Sequence, residues 1–223
     1  MVTGIKPKSE SESSPPRIHG NLIYRQSVWT RVTHWIWVVS LFFLLLSGLQ
    51  IFNAHPNLYI GDQSGFQFDN SILRIGAEDG PRGPRGFTTL FGAKFDTTGV
   101  LGLSGTPQKG RAFPSWATIP SYQDLGTGRV VHFFFAWLLV ATLTTWLLAS
   151  SLNGHAWTDV VPKIRDFRKL PGDIVAHAKL KFQHRREYNV LQKLSYAGVL
   201  FILLPLMIAT GLAMSPGANA IFP

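Results

Sequence analysis

Apolar residues along this chain gather in three long runs that charge never interrupts. Trp35–Phe52 reads WIWVVSLFFLLLSGLQIF, Val130–Leu152 reads VVHFFFAWLLVATLTTWLLASSL and Leu194–Met214 reads LSYAGVLFILLPLMIATGLAM; none contains Asp, Glu, Lys or Arg. Each approaches the roughly 20 residues that a helix rising about 1.5 Å per residue needs to cross about 30 Å of hydrocarbon. Backbone N–H and C=O groups in lipid must be paired within their own segment, so helices are the expected form. The pattern predicts three membrane spans, at about 31–53, 129–152 and 193–215. A large polar loop, 54–128, joins the first two, and a basic loop, 153–192, joins the second to the third.

Composition agrees: 15% of the 223 residues are charged, against about a quarter in a soluble domain. The net charge of +9 would suit a nucleic-acid binder, but its placement argues for a topology signal instead. Basic residues crowd the second loop, from Lys163, Arg165, Arg168 and Lys169 to Arg185, Arg186 and Lys193, and the N-terminal arm adds Lys6, Lys8, Arg17 and Arg25. In the first loop they are diluted and nearly balanced by Asp62, Asp69, Glu78, Asp79, Asp96 and Asp124. The positive-inside rule then puts the N-terminus and second loop in the cytoplasm and the first loop outside. No nucleic-acid partner is expected. The chain has no cysteine, which excludes disulfides, iron–sulfur clusters and covalent haem attachment on it. The opening MVTGIKPKSESESSPPRIHG lacks an apolar core, so residues 1–28 read as a flexible cytoplasmic arm rather than a secretory signal.

The outer loop is Gly- and Pro-rich yet carries Phe66, Phe68, Phe87, Phe91, Phe95, Phe113 and Trp116. A pure linker has no need of those rings; the expectation is a compact cap or a docking surface. Pro205, midway through the third span, removes a backbone hydrogen bond and should kink that helix. The first and third spans both end in a small-Gly-Leu step, Ser47-Gly48-Leu49 and Thr210-Gly211-Leu212. Glycine there admits either a neighbouring helix or a flat ligand.

The first two spans open alike, with Arg31-Val-Thr-His34-Trp and Arg129-Val-Val-His132-Phe. An ionisable residue inside a span is costly and marks a functional candidate. The first span enters from the cytoplasm and the second from outside, so each His lies about nine residues, or about 13 Å, from the midplane on opposite sides. A separation of roughly 25 Å forbids a shared metal and allows two stacked cofactors. Haem suits such places: its iron takes axial imidazoles, its ring wants an apolar slot and its propionates want a cation. Arg31 and Arg129, one turn before each His, either meet propionates or snorkel to lipid phosphate.

The segments TRVTHWIWVVSLFFLLLSGLQIFNAHPNLYIG, GTGRVVHFFFAWLLVATL and YNVLQKLSYAGVLFILLPLMIATGLAMSPGANAIFP resemble the bacterial respiratory cytochrome b family. That family comprises the cytochrome b561 and nickel–iron hydrogenase type subunits, with the thiosulfate-reductase type the nearest likeness, and the resemblance covers residues 23–223. It implies an all-α transmembrane bundle, here three predicted spans of a four-helix b-type cytochrome fold over 29–223. It implies two b haems, with His34 and His132 each matching one axial ligand. By position, Arg31 and Arg129 could reach propionates, and the Gly48 and Gly211 steps fall at about the outer depth of His132, where a haem face would need room. It implies an electron-transfer subunit, rather than a self-contained enzyme, in the bacterial inner membrane. Its partners would be quinone, the lipid bilayer and an extracytoplasmic oxidoreductase, a molybdenum enzyme by analogy. The family's fourth helix supplies the two remaining axial histidines, and no His follows His184 in this sequence. Truncation, a second polypeptide, or loss of part of the haem binding would each account for that. His155 would need the second helix to bend back to reach the haem of His34, and His55, in NAHP, suits a loop contact. A haem-free anchor docking a peripheral enzyme through 54–128 is the alternative reading. A transporter is weaker, because the spans hold no buried carboxylate or paired half-helices.

Overall fold

The computed structural model describes residues 27–61, 68–104, 110–154, 156–180, 189–215 and 220. Helix α1 (Val28–Phe52) starts where Ser27 Oγ accepts the Thr30 N–H at 3.1 Å. Four antiparallel strands follow in the order β1 (Asn57–Tyr59), β2 (Ser71–Gly80), β3 (Gly83–Leu90) and β4 (Ala93–Asp96). Helix α2 (Leu125–Leu152) is capped by Asp124, which accepts from the Thr127 N–H at 3.1 Å and the Thr127 hydroxyl at 2.7 Å. Those hydrogen bonds, hydroxyl first, hold the Asp124 carboxyl below the usual carboxylate range. Short α3 (Leu170–Ala178) leads to the third span, Val190–Ala213, made of α4 (Val190–Gly198), a π-helical turn (Val199–Leu203) and α5 (Leu204–Ala213). All three long helices are long and apolar enough to cross a membrane.

Among hydrocarbon tails apolar burial does not by itself hold helices together; close packing and interhelical hydrogen bonds do. Thr33, Ser40 and Ser47 recur every seventh residue on α1 and are fully buried, forming the small-residue seam against which α2 lies. The pairing is antiparallel. Trp37 meets Trp146 edge-on at 5.6 Å, Phe43 stacks on Phe135 at 4.2 Å, and Gln50 lies against Gly128. A Cβ on Gly128 would stand 2.9 Å from Gln50 Cγ, so only glycine fits there. Leu200 and Leu204 bring the third span onto Trp37, Leu139, Leu143 and Trp146. Outward-facing Phe42, Leu45, Phe134 and Trp137 are left for lipid.

The irregularity expected at Pro205 falls in the turn before it. The Leu204 N–H reaches back to the Val199 carbonyl, an i→i−5 bond that widens the helix where proline cannot complete the ladder.

The membrane part is all-helical, as the sequence predicts. The strands belong wholly to the loop between α1 and α2, where a cap was expected but no sheet. Residues 97–104 fold across β2 and β3 at glycines. A Cβ on Gly102, which has φ +79°, would lie 2.0 Å from the Gly76 carbonyl oxygen, and one on Gly86 would lie 2.3 Å from that of Leu101. Ile75, Leu103 and Ala112 form a small buried core. Polar bonds fasten this unit to α1. Gln50 Nε2 donates to the Tyr122 carbonyl at 3.0 Å, Arg111 Nη2 donates to Gln50 Oε1 at 2.9 Å, and the Phe113 N–H donates to Asn53 Oδ1 at 2.9 Å.

One interhelical hydrogen bond crosses the middle of the seam, from Trp37 Nε1 to Thr142 Oγ1 at 3.1 Å. Thr142→Val keeps the shape but removes the acceptor, and should weaken the α1–α2 pair by about 1 kcal/mol. A fall in the thermal midpoint in detergent measures it; an unchanged midpoint would show that the indole N–H finds another partner.

Candidate functional site

Buried or half-buried positions on α2 step by three and four residues through Gly128, His132, Phe135, Leu139, Leu143, Trp146 and Ser150. His132 is therefore a seam residue, directed at α1 one turn below the Gln50–Gly128 contact. Its Nδ1 lies 3.0 Å from Ser47 Oγ. A Cβ on Gly48 would sit 3.5 Å from His132 Cε1. The glycine step of the first span thus makes room for an imidazole from α2. With Nδ1 facing Ser47, Nε2 is the ring nitrogen left to meet anything else.

His34 stands apart. Ser47, level with His132, is 13 residues further along α1, so the two imidazoles are separated by about 20 Å along the helix axis. The sequence estimate was roughly 25 Å, and the conclusion is the same: no single ion reaches both. His34 is exposed, its ring edge-on to Trp35 at 6.3 Å between centroids, and it has no hydrogen-bonding partner among the described residues. Arg31 and Arg129 are exposed on their helices, each one turn before its histidine. Gly211 is exposed, with no atom within 4 Å of where a Cβ would stand; it is not brought against His132. His55 Nε2 meets Tyr59 Oη at 3.0 Å in the loop, as expected of a loop contact. His155 lies outside the described residues.

Among the described residues no group of three or more His, Cys, Asp or Glu side chains stands close enough to hold a metal ion. A metal at His132 would find no further ligand cluster among the described residues, whereas a macrocycle brings four ligands of its own. The surroundings suit such a group: a half-buried imidazole held on α1 through Nδ1, with apolar aromatic neighbours. The profile of the prokaryotic cytochrome b561 family matches residues 25–222.

The chain belongs to that family. No curated protein and no solved structure matches it. Membership makes this a multi-pass membrane protein that binds haem b and transfers electrons, and the resemblance to bacterial cytochromes b is borne out. In this cytochrome b561 the residues missed by sequence reasoning are Gly128, Gln50 and the hydroxyl of Ser47. Ser47 was visible only as the small residue before Gly48. The signal that points to it is its sevenfold spacing from Ser40 and Thr33.

Space at Gly48 can be probed directly. A Cβ at 3.5 Å from His132 is in ordinary contact, so Gly48→Ala should be tolerated and gain up to about 1 kcal/mol of helix propensity. Gly48→Leu should force the helices apart at a cost of about 1–3 kcal/mol. Thermal unfolding of the two variants in detergent checks this, and equal midpoints would show that the ring swings aside without cost.

Proposed function

We propose that this cytochrome carries electrons across the bacterial inner membrane between the quinone pool and an oxidoreductase on the outer face. Two b haems would be held separately, by His132 near the outer surface and by His34 near the inner. The observation that carries this reading is the placement of the two imidazoles. His132 meets Ser47 at one end of α1, and His34 lies about 20 Å away at the other. Haem b, when bound, supplies a carrier of one electron at a time.

The chain's own residues supply binding and orientation. His132 offers Nε2 while its Nδ1 is held on α1. His34 lies on the same face of α1 as Leu41, which packs on the cluster joining the third span. Arg129 and Arg31, exposed one turn from their histidines, would pair with propionates. Gly48 lies within ordinary contact of the His132 ring, and Gly211 leaves an open flank on α5. By resemblance to respiratory cytochromes b, a further helix would supply the second imidazole of each haem. The basic segment around α3 and the arm would face the cytoplasm under the positive-inside rule.

The loop sheet would then dock the partner, by resemblance a molybdenum enzyme. Phe91 supports this: it sits with Gly92 in a two-residue turn at φ 48° and is 75% exposed. A phenylalanine there is backbone-strained and gains no packing, the profile of a residue kept for contact. Trp116, 81% exposed, adds to the same loop's apolar surface.

Reduced-minus-oxidised spectra of the purified chain test the reading. The wild type should show a b-type band, and His132→Ala and His34→Ala should each remove about half of it. Simultaneous loss of the whole band in a folded single variant would sink the two-site arrangement. Because the chain has no cysteine, single cysteines at Trp116 and Lys179 report sidedness. Labelling of both from one face would overturn the topology.

A further inference from the structure

The contacts of Ser47 determine more than where His132 lies. A serine hydroxyl has one proton to give and lone pairs to accept with. Ser47 Oγ donates to the Phe43 carbonyl at 2.6 Å, with a longer approach of 3.4 Å to that of Leu44. A carbonyl can only accept, so the hydroxyl proton is committed to its own helix. The contact with His132 Nδ1 at 3.0 Å must then run the other way: Nδ1 carries the proton and donates to Ser47. In a neutral imidazole that leaves Nε2 bare, the form a metal requires.

The same seam contains a check on this proton assignment. Thr142 Oγ1 donates to the Leu138 carbonyl at 2.7 Å and also meets Trp37 Nε1 at 3.1 Å. An indole N–H can only donate, so there the helix hydroxyl gives its proton back to its own helix and accepts across the seam. Ser47 stands in the same relation to His132.

We propose that Ser47 is the positioning residue of the outer haem site, locking His132 in the Nδ1–H tautomer and aiming the Nε2 lone pair at iron. The proposal rests on His132 being an axial ligand. It adds that ligand strength at one centre alone is set from α1. Such partners of a ligating histidine fix its tautomer and orientation, and their removal typically weakens metal binding by about 10–100-fold. Ser40 provides the control. It lies on the same stripe, fully buried, and its Oγ has no hydrogen-bond partner among the described residues, so Ser40→Ala makes the same small change without touching an imidazole.

The test uses the full chain in detergent. Without haem, nitrogen-15 spectra of histidine-labelled protein, with His132 assigned by its loss in His132→Gln, should show Nδ1 protonated and Nε2 bare. Ser47→Ala should give a tautomer mixture. With haem, Ser47→Ala should weaken binding at the His132 centre by about 10–100-fold and move that centre's midpoint potential, leaving the His34 centre unchanged. Ser47→Thr, which keeps the hydroxyl, should restore both, and Ser40→Ala should behave as wild type. A protonated Nε2 in the wild type overturns the inference. So does a Ser47→Ala variant with wild-type affinity and potential, which leaves the proposed function standing. A wild-type chain that takes up no haem, or a His132→Ala variant that keeps both centres, overturns that function and this inference with it.

Discussion

A polar side chain in hydrocarbon has no water to turn to, so its partner must come from the protein. At two places along the α1–α2 seam this constraint is met by one repeated device, while the Ser40 hydroxyl between them has no partner among the described residues. A hydroxyl donates to the carbonyl one turn back on its own helix and accepts from a ring on the other helix. Ser47 does this for His132 and Thr142 does it for Trp37. The device works only because α1 presents small residues every seventh position, letting α2 approach closely enough for a 3 Å contact. Helix register, the depth of His132 and the direction of its free nitrogen all follow from that approach.

Much of this was legible in the sequence because membrane spans obey strong rules. Three charge-free runs became three long helices, within a few residues of the expected bounds. Opposed entry of the first two spans alone puts His34 and His132 at opposite ends. The loop was less legible. Strands such as Ser71–Gly80 (SILRIGAEDG) and Gly83–Leu90 (GPRGFTTL) lack clean alternation, because Gly76 makes room for the Phe87 ring and Gly86 for the strap at 97–104. Composition therefore reads as loop where the chain builds a sheet. Gly48 was ambiguous for another reason. Its neighbour is an imidazole 84 positions later in the chain, and the register of two helices is not written in either one alone.

Pro205 shows the same limit on a smaller scale. The sequence locates a break in the hydrogen-bond ladder; packing decides its form. A wide π turn at Val199–Leu203 keeps Leu200 and Leu204 on the face that meets Trp37 and Trp146.

The two Arg-x-x-His openings look equivalent and are not, for a reason that lies in helical phase. On α2 the seam position is His132 itself. On α1 it is Thr33, fully buried, with His34 one residue later. One residue turns the side chain by about 100°, which carries His34 off the α1–α2 seam to an exposed position. The result is two unlike environments from one motif. His132 is half-buried and held through Nδ1 by a neighbouring helix. His34 is exposed, in ring contact with Trp35 alone among the described residues. A cofactor on His132 would find its imidazole already oriented, whereas one on His34 would have to order the ring on binding and spend rotamer entropy to do so. The two histidines are thus unequal by construction, in helix pairing as well as in depth, and the inequality arises from a single residue of register.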